Sequence, residues 1–412
     1  MTAPRVPTFQ FLRDNAPWLA AGAMLFFLSS FGQTFFISIF AAEIRGEFGL
    51  SHGQWGGIYT LGTSASALLM IWAGGLTDRF RVRALGAVVL SMLAASCLLM
   101  ALNGAAWMLP FVIFALRFCG QGMTSHISVV AMSRWFVAAR GRALSIATSG
   151  FSVGEALLPL LFVWLLTLFD WRTLWIGAAC VAILGIPALF SLLRHERTPQ
   201  SFAETESSLG MEGRHWTRNQ ALRQFLFWMM IPAMLGPAAF NTAFFFHQVH
   251  YAEVKGISHL ELVSLFPLFT GMTIGFMVLS GWALDRFGTA RLMPFVQVPM
   301  AIGFVFFSQA EGLPGLITGF FFAAMGNGGM MTVPNAFWAD FYGTRNIGSV
   351  KAMVAAVMVL GSALGPGITG WGIDAGIGIE RQYLAVSLYF LIATGFMLVG
   401  VTRARRLLPA AA

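Results

Sequence analysis

Twelve apolar stretches, each about as long as a membrane is thick, constrain this chain more than any other feature of its sequence. A helix that crosses a bilayer needs about 20 mostly apolar residues. In the first half we place such spans at 17–42, 53–76, 84–104, 107–133, 142–168 and 173–194. In the second half they fall at 221–249, 259–283, 290–309, 313–340, 347–372 and 383–402. The sequence therefore predicts an all-α membrane protein with twelve transmembrane helices.

The composition agrees with a membrane protein and excludes an ordinary soluble one. Of the 412 residues, 57% are hydrophobic and 10% are charged, whereas soluble domains are about 25% charged. The three cysteines lie within apolar runs, so no disulfide framework is indicated. One longer polar stretch, residues 195–220, interrupts the spans, and we interpret it as a solvated cytoplasmic linker. It would divide an N-terminal six-helix bundle (1–194) from a C-terminal one (221–412).

The basic residues predict which ends of the spans face the cytoplasm, because short cytoplasmic loops carry an excess of Lys and Arg. With a cytoplasmic N-terminus, four of the 25 Lys and Arg residues fall outside and one, Arg117, falls within a span, which leaves 20 on the cytoplasmic side. The net charge of +8 is thus a topology signal, and no nucleic-acid partner is expected. We predict a multi-pass inner-membrane protein with both termini in the cytoplasm.

A short charged sequence motif occurs twice in the chain. Asp78-Arg79-Phe80 follows the second span, and Asp285-Arg286-Phe287 follows the eighth span, 207 positions later. Other pairs keep nearly the same offset, such as Gln33 in span 1 and Asn241 in span 7. The chain is therefore an internal duplication with six helices per copy. Two parallel halves with a binding site at the membrane midplane are an architecture of secondary transporters.

The repeated motif and the helix layout resemble those of the major facilitator superfamily. The pattern G-x-x-x-D-R-x-G begins at Gly74 and again at Gly281; the second copy keeps its last glycine at Gly288, where the first copy has Arg81. The resemblance covers the whole chain. It implies two pseudo-symmetric six-helix bundles around a central cavity and transport by alternating access. It also implies a gating role for the loop residues Gly74, Asp78, Arg79, Gly281, Asp285 and Arg286.

Residues 134–154, Asp170-Trp171-Arg172 and residues 245–256 resemble one branch of that superfamily, the monocarboxylate porters and oxalate–formate-type antiporters. This finer resemblance implies small organic anions as the substrate class. That branch often carries a basic residue in its eighth helix, and residues 259–283 of this chain contain no Arg or Lys.

The loop residues have a physical role that is independent of the resemblance. Gly74 and Gly281 allow a helix end to approach a neighbour closely. Asp78 and Asp285 can accept hydrogen bonds at a helix start, where the helix dipole favours negative charge. We interpret the pair of loops as a latch that holds one side closed in one state. The alternative is that each Asp-Arg pair only anchors a tight loop.

Two charged residues lie at membrane depth, where a charge is costly and by default indicates function. Arg117 in span 4 and Glu155 in span 5 lie about ten and thirteen residues from the outer ends of their spans, which corresponds to roughly 15–20 Å. They are predicted to form a buried pair. One alternative is a structural clamp, in which losing one partner would cost about 3–5 kcal/mol. The other is a coupling site, in which Arg117 attracts an anionic substrate and Glu155 takes a proton.

Three further groups complete the candidate site. His126 in span 4 is a candidate proton relay, and His247 near the outer end of span 7 is a candidate proton-entry group, because histidine titrates near neutral pH. His247 and His250 lack a third ligand in the sequence, so we predict no metal site. Neutral polar residues in the spans are candidates for substrate binding or for hydrogen bonds between helices: Gln33, Asn241, Gln121, Asn327 and Asn335.

Two other functional classes have weaker support. Gly150-Phe151-Ser152-Val153-Gly154 fits the nucleophile pattern G-x-S-x-G, but that pattern needs a preceding strand, so no enzyme is expected. A transporter-like receptor is expected to need an added soluble domain, and the tails outside the spans are short. We predict a monomeric, proton-coupled symporter of a small organic anion, a monocarboxylate, with no cofactor. The alternative is a proton-coupled exporter of apolar, drug-like compounds.

Overall fold

The computed structural model describes residues 8–136, 140–195 and 209–408, and within these ranges the chain is helical and contains no β-strand. Ten helices in this part of the chain are long and apolar enough to cross a membrane. A further pair, Gln10–Gly32 and Thr34–Phe48, is bent by 47° and makes eleven if it is counted as one span. The second predicted span corresponds to the 22-residue helix His52–Ala73, which is not among the ten. The predicted all-α membrane fold is confirmed.

Within the described residues of the N-terminal half, the chain forms eight longer helices and two short ones. The longer helices are α1 (Thr8–Leu28), α2 (Ala41–Phe48), α3 (His52–Ala73), α4 (Val82–Leu102), α5 (Leu109–Leu116), α6 (Ser125–Trp135), α7 (Arg140–Leu165) and α8 (Trp171–Leu192). The short helices are Thr34–Ile37 and Leu76–Arg79. Between α5 and α6 the chain continues without interruption as a π-helix, Arg117–Thr124, so the fourth predicted span is one rod with an irregular middle.

The described part of the C-terminal half contains the helices α9 (Phe225–Phe246), α10 (Gln248–Val254), α11 (His259–Ser264), α12 (Phe266–Phe287), α13 (Val298–Gln309), α14 (Gly312–Tyr342), α15 (Ile347–Asp374) and α16 (Ile379–Ala404). Short helices at Arg218–Arg223 and Thr289–Leu292 precede α9 and α13.

The chain folds into two compact units that do not follow a single cut in the sequence. The first unit contains the N-terminal half except for the segment Arg45–Thr60. That segment, which is the end of α2 and the first part of α3, packs with the C-terminal half in the second unit. Assignment by sequence position alone would place it with its chain neighbours.

Glycines set the closest helix contacts in each unit. In the first unit, a Cβ atom on Gly150 of α7 would lie 1.9 Å from the carbonyl oxygen of Ala23 in α1. In the second unit, a Cβ atom on Gly365 of α15 would lie 2.1 Å from the carbonyl oxygen of Ala239 in α9. Real Cβ atoms do not approach this closely, so only glycine fits. Close packing at a glycine therefore occurs in both halves.

The predicted solvated linker is only partly solvated. Of residues 195–220, those from 209 onward are described, and Met211 and Trp216 are 0% and 5% exposed. The backbone N–H of Trp216 donates to the carbonyl oxygen of Tyr342 at 2.9 Å, and its indole N–H donates to Met211 at 3.0 Å. These two apolar side chains gain enough by burial to hold the end of the linker on α14. The prediction of a solvated linker is wrong for this part.

Candidate functional site

The first helix breaks in the middle of its apolar stretch. After α1 the chain forms a 3₁₀ turn, Ser29–Gly32, and Gln33 is extended (φ −87°, ψ 155°) before helix resumes at Thr34. Irregular backbone at membrane depth survives only where protein buries it or where it lines a cavity. Transporters place their binding sites at such broken helices. Sequence reasoning predicted one continuous helix here, because no proline marks the break.

The π-helix Arg117–Thr124 packs directly on this break. A Cβ atom on Gly120 would lie 2.6 Å from the Cα atom of Gly32, and one on Gly32 would lie 2.1 Å from the carbonyl oxygen of Leu116. Two glycines therefore allow the two irregular segments to touch backbone to backbone. π-Helical turns are rare and often mark functional sites. The pair Gly32 and Gly120 is a site feature that sequence reasoning missed.

Arg117 begins the π-helix and points its guanidinium group at the break. The side chain is 1% exposed. Its NH1 nitrogen donates to the carbonyl oxygen of Gly32 at 3.1 Å and to the hydroxyl of Thr34 at 3.4 Å. The broken backbone thus supplies acceptors for a buried cation, which would otherwise carry a large desolvation cost. The structure places the predicted cation at the one interruption of the first span.

Glu155 lies next to the same break from the side of α7. Its neighbour Gly154 packs so tightly that a Cβ atom there would lie 2.1 Å from the hydroxyl oxygen of Ser30. The Glu155 side chain is half-buried. Arg117 and Gly154, the residue before Glu155, therefore both border the residues Ser29–Thr34. A direct pair between Arg117 and Glu155 stays a prediction.

Two predicted polar residues belong to this site and one lies beyond it. Gln33 is the extended residue of the break, Gln121 is on the π-helix, and both side chains are partly exposed. His126 follows in α6, with its Nε2 atom 3.3 Å from the carbonyl oxygen of Gly74. Through this contact, His126 connects α6 to the start of the first charged loop. Its role as a proton relay stays a prediction.

The polar residues of the second half form two pairs. The amide of Asn241 in α9 donates to the side-chain oxygen of Asn327 in α14 at 2.7 Å. The ammonium group of Lys351 in α15 donates to the side-chain oxygen of Asn335 in α14 at 3.3 Å. The sequence predicted the three asparagines and missed Lys351. A lysine three residues from the start of an apolar run was counted only as a topology signal.

The first charged loop is held by the end of the fourth helix. The NH1 nitrogen of Arg134 in α6 donates to the carbonyl oxygen of Thr77 at 2.8 Å. Gly74 lies close to α6, since a Cβ atom there would lie 3.4 Å from the Nε2 atom of His126. Arg79 is exposed, and the side chain of Asp78 lies outside the described part. The separation of 3.4 Å at Gly74 is an ordinary contact distance, so the close approach and the gating role of Gly74 stay predictions.

The second charged loop is built differently. A Cβ atom on Gly281 would meet nothing within 4 Å, so the predicted close approach at this glycine is wrong. The turn is made later, at Gly288, whose φ of +73° favours glycine. Asp285 is exposed, and the guanidinium carbon of Arg286 lies 5.9 Å from the ring centre of Trp282. A latch role for the loops stays a prediction.

The second loop is tied to α14, as the first loop is tied to α6. The hydroxyl of Thr289 donates to the carboxylate of Asp340 in α14 at 2.8 Å. Each loop is therefore anchored on the fourth predicted span of its own half, and the anchoring residues differ between the halves. The internal duplication preserved the position of this anchor while its chemistry changed.

The G-x-S-x-G pattern at residues 150–154 lies inside the helix α7, where no strand precedes it. The nucleophile turn of hydrolases needs a strand before the serine and a helix after it. The pattern instead serves the glycine packing of α7 on α1.

His247 ends α9, and its Nε2 atom lies 2.9 Å from the carbonyl oxygen of Pro366 in α15. The ring of His250 in α10 lies 4.2 Å, centre to centre, from the ring of His52 at the start of α3. His52 comes from the segment that packs with the second unit. Sequence reasoning did not single out His52, because its partners are about 200 positions away.

Known proteins with related sequences are membrane transporters. A family model described as Major Facilitator Superfamily matches residues 22–366 and 268–411. The chain is 24% identical over 286 residues to monocarboxylate transporter 13 of Bos taurus, which covers 68% of this chain and 63% of that protein. It is 32% identical over 114 residues to a triacylglyceride transporter of Mycobacteroides abscessus. That match covers 27% of this chain and 22% of the relative, so it spans about a fifth of the relative's length.

Solved structures show the same fold. A bacterial homolog of the human lysosomal transporter Spinster, in an inward-facing and unoccupied conformation, aligns with a TM-score of 0.72 at 16% identity. The alignment covers 97% of this chain and 99% of that chain. At this identity the likeness concerns the fold alone.

Proposed function

The chain belongs to the Major Facilitator Superfamily, and from that premise we propose that it carries a small organic anion, a monocarboxylate, together with protons. Its family and fold are those of transporters that work by alternating access. One observation carries the choice of an anion. Arg117 is 1% exposed and its NH1 nitrogen lies on the backbone of a broken membrane helix.

Arg117 has the chemistry to bind a carboxylate. Its guanidinium group is always charged and presents a planar fork of donors that fits a carboxylate in bidentate fashion. Two of the acceptors that Arg117 contacts, the carbonyl oxygen of Gly32 and the hydroxyl of Thr34, are neutral groups. An incoming carboxylate is a stronger partner than either. The similarity to a mammalian monocarboxylate transporter supports the same substrate class.

Glu155 supplies the coupling to protons in this proposal. A carboxylate bound at Arg117 would withdraw the favourable positive charge from Glu155 and add a negative charge nearby. Both effects favour the protonated form of a half-buried carboxyl group. Glu155 then takes up a proton when substrate binds and loses it when substrate leaves. Substrate and proton cross together, and the loaded site carries no extra charge.

The second half contributes candidates for the rest of the substrate. Lys351, whose ammonium group donates to Asn335, is a further cation near the start of an apolar span. The Asn241–Asn327 pair can exchange its mutual hydrogen bond for bonds to a polar substrate. Gln33 and Gln121 extend the polar surface beside Arg117, and His247 stays a candidate proton-entry group.

The two charged loops are proposed to gate the transporter from the predicted cytoplasmic side. Hydrogen bonds from Arg134 in α6 to Thr77 and from Thr289 to Asp340 in α14 hold each loop on the fourth predicted span of its half. Asp78, Arg79, Asp285 and Arg286 would make their latch contacts in only one state of the cycle.

The test is transport by the purified protein in liposomes that enclose a pH dye. A panel of small carboxylates is added outside, and acidification inside beyond that of protein-free liposomes is the expected result. Arg117→Gln should abolish it. Arg172→Gln is the matched control, because Arg172 also donates to backbone carbonyls, of Ala101 and Asn103, both at 2.6 Å, but at the end of its bundle.

The alternative function is proton-coupled export of apolar compounds, and the similarity of a short region to a triacylglyceride transporter favours it. The same liposomes distinguish the two. Absence of a response to every carboxylate, with proton movement on adding an apolar cation, would replace the anion proposal by the exporter.

A further inference from the structure

The segment Arg45–Thr60 is docked on the C-terminal half by a compact apolar contact. Trp55 is 1% exposed and its ring is stacked on Phe246, with the centres 5.6 Å apart. Tyr59 is 0% exposed, and its ring centre lies 4.6 Å from that of Phe246. The hydroxyl of Thr60 donates to the carbonyl oxygen of Ala363 at 2.7 Å.

A carboxylate from α15 holds the start of the docked helix. The Oδ2 atom of Asp374 accepts a hydrogen bond from the hydroxyl of Ser51 at 2.5 Å and from the backbone N–H of Gly53 at 2.8 Å. These groups form the N-terminus of α3, whose dipole favours a negative charge there. Asp374 thus acts as a helix cap that is supplied from a distant part of the chain. It is a positioning residue for the segment.

Two imidazole rings face each other across the docked surface. The rings of His52 and His250 lie 4.2 Å apart, and His247 lies 6.1 Å from His52. The charged groups around them are Arg45 from α2, Glu253 from α10 and Asp374 from α15. Among the described residues no three His, Cys, Asp or Glu side chains are grouped as metal ligands.

The docked arrangement disfavours protonation of both rings. Burial, followed by the positive charge of Arg45 and by His250, lowers the pKa of His52 to about 4, against the pull of Asp374. Burial also lowers the pKa of His250, although Glu253 acts in the opposite direction. Both rings are neutral at pH 7 while the segment is docked.

We propose that the His52–His250 pair is a proton-binding site whose occupancy releases the segment Arg45–Thr60 from the C-terminal half. Two protonated rings at this distance repel each other, and Arg45 adds a third positive charge. Asp374 and the aromatic contact stabilise the docked segment, whereas protonation of the imidazoles destabilises it. Docking is therefore an equilibrium that depends on pH. This inference does not depend on which substrate the protein carries.

The direction of the pH dependence follows from linkage. A histidine whose pKa is lower in the docked state than in the released state, where it is near 6.5, favours docking at high pH. Docking is strongest above pH 6.5 and is lost as the pH falls towards 4. For His52 alone, the docking equilibrium constant drops roughly 30-fold between pH 7.5 and pH 5.

The test is hydrogen–deuterium exchange of the full chain in lipid nanodiscs, read by mass spectrometry from pH 7.5 to pH 5 and corrected for the intrinsic exchange rate. Peptides that cover residues 55–60 report docking, and peptides from α4 serve as the internal reference. Protection of residues 55–60 should fall by roughly 30-fold on acidification, while the reference stays constant. Unchanged protection of both would overturn the proposal.

Variants separate the imidazole pair from general effects of acid. In the double variant His52→Gln and His250→Gln, protection of residues 55–60 should no longer depend on pH. His259→Gln is the matched control, because the Nε2 atom of His259 is also buried in the same half. It should keep the wild-type profile. A wild-type profile in the double variant would refute the assignment of the proton site.

Asp374→Asn gives an independent measurement if the double variant is already released at pH 7.5. An amide keeps the shape of the cap but loses the charge, so protection at pH 7.5 should fall by roughly tenfold. The fall with acid should remain, because both imidazoles are present. Protection that is equal to wild type at pH 7.5 would show that Asp374 does not hold the segment.

Discussion

The proposed mechanism depends on Arg117, and the position of this residue has a physical cause. A cation in an apolar span needs acceptors, and a regular helix has no spare carbonyl groups to offer. The break at Ser29–Thr34 frees the carbonyl oxygen of Gly32, to which Arg117 donates at 3.1 Å. The broken helix and the buried cation therefore stabilise each other. In the proposed mechanism, Arg117 exchanges this carbonyl oxygen for a carboxylate oxygen of the substrate when the substrate binds.

Glu155→Gln should separate transport from proton coupling. Glutamine retains the size of the side chain but cannot exchange a proton, so accumulation driven by a pH gradient should fall at least roughly tenfold. Exchange of labelled for unlabelled substrate, which moves no net proton, should continue. Both rates are measured in the same liposomes. Accumulation at the wild-type level would remove Glu155 from the mechanism.

Lys351→Gln should weaken substrate binding and leave turnover unchanged. A hydrogen bond to a charged group contributes about 1.5 kcal/mol or more, which corresponds to a KM raised roughly tenfold. Lys255→Gln is the control, since the ammonium group of Lys255 pairs with Glu380 at 2.5 Å and donates to Ser308 at 2.7 Å, outside the candidate site. A KM raised equally by both variants would argue against a substrate role for Lys351.

At the scale of helices, the contact between two irregular segments is the feature that only the structure reveals. The sequence indicated a charged residue in span 4 because Arg117 interrupts an apolar run. It gave no sign of the π-helix or of the break, since neither contains proline and both depend on contacts between Gly32 and Gly120, 88 positions apart. Local patterns predict the existence of helices well, and they do not predict how two helices deform when they pack.

Gly120→Ala should destabilise the first unit. The added methyl group would lie 2.6 Å from the Cα atom of Gly32, and overpacking of this kind costs about 1–3 kcal/mol. The thermal midpoint of the purified protein should fall by several degrees. Gly177→Ala in α8 is the matched control, because its Cβ atom would meet nothing within 4 Å. The control should leave the midpoint unchanged or raise it, since alanine favours a helix.

At the scale of the whole molecule, the duplication explains both what repeats and what differs. The glycine contacts of α7 on α1 and of α15 on α9 repeat, as do the loop anchors on α6 and α14. The polar centres do not repeat: the first half has Arg117 and Glu155 and the second has Asn241 and Asn327. Packing was predictable from the repeated sequence. The packing of Arg45–Thr60 with the C-terminal half was not predictable, because the residues that it contacts lie far along the chain.

The predicted orientation can be tested with two single cysteines in a variant whose native cysteines are replaced. Gly104→Cys is predicted to be outside and Gly141→Cys in the cytoplasm; both positions are exposed and have room for a side chain. An impermeant maleimide should label only the first in intact cells and both after permeabilisation. The reverse pattern would invert the topology and with it the predicted side of the charged loops.

In the proposed mechanism, a carboxylate bound at Arg117 makes Glu155 take up a proton, so proton uptake on binding is the measurement that tests it most directly. Purified protein in a weakly buffered solution with a pH dye is mixed with the monocarboxylate, and calorimetry confirms binding under the same conditions. The wild type should take up about one proton per bound substrate, and Glu155→Gln should take up none. Binding to the wild type without any proton uptake would contradict it.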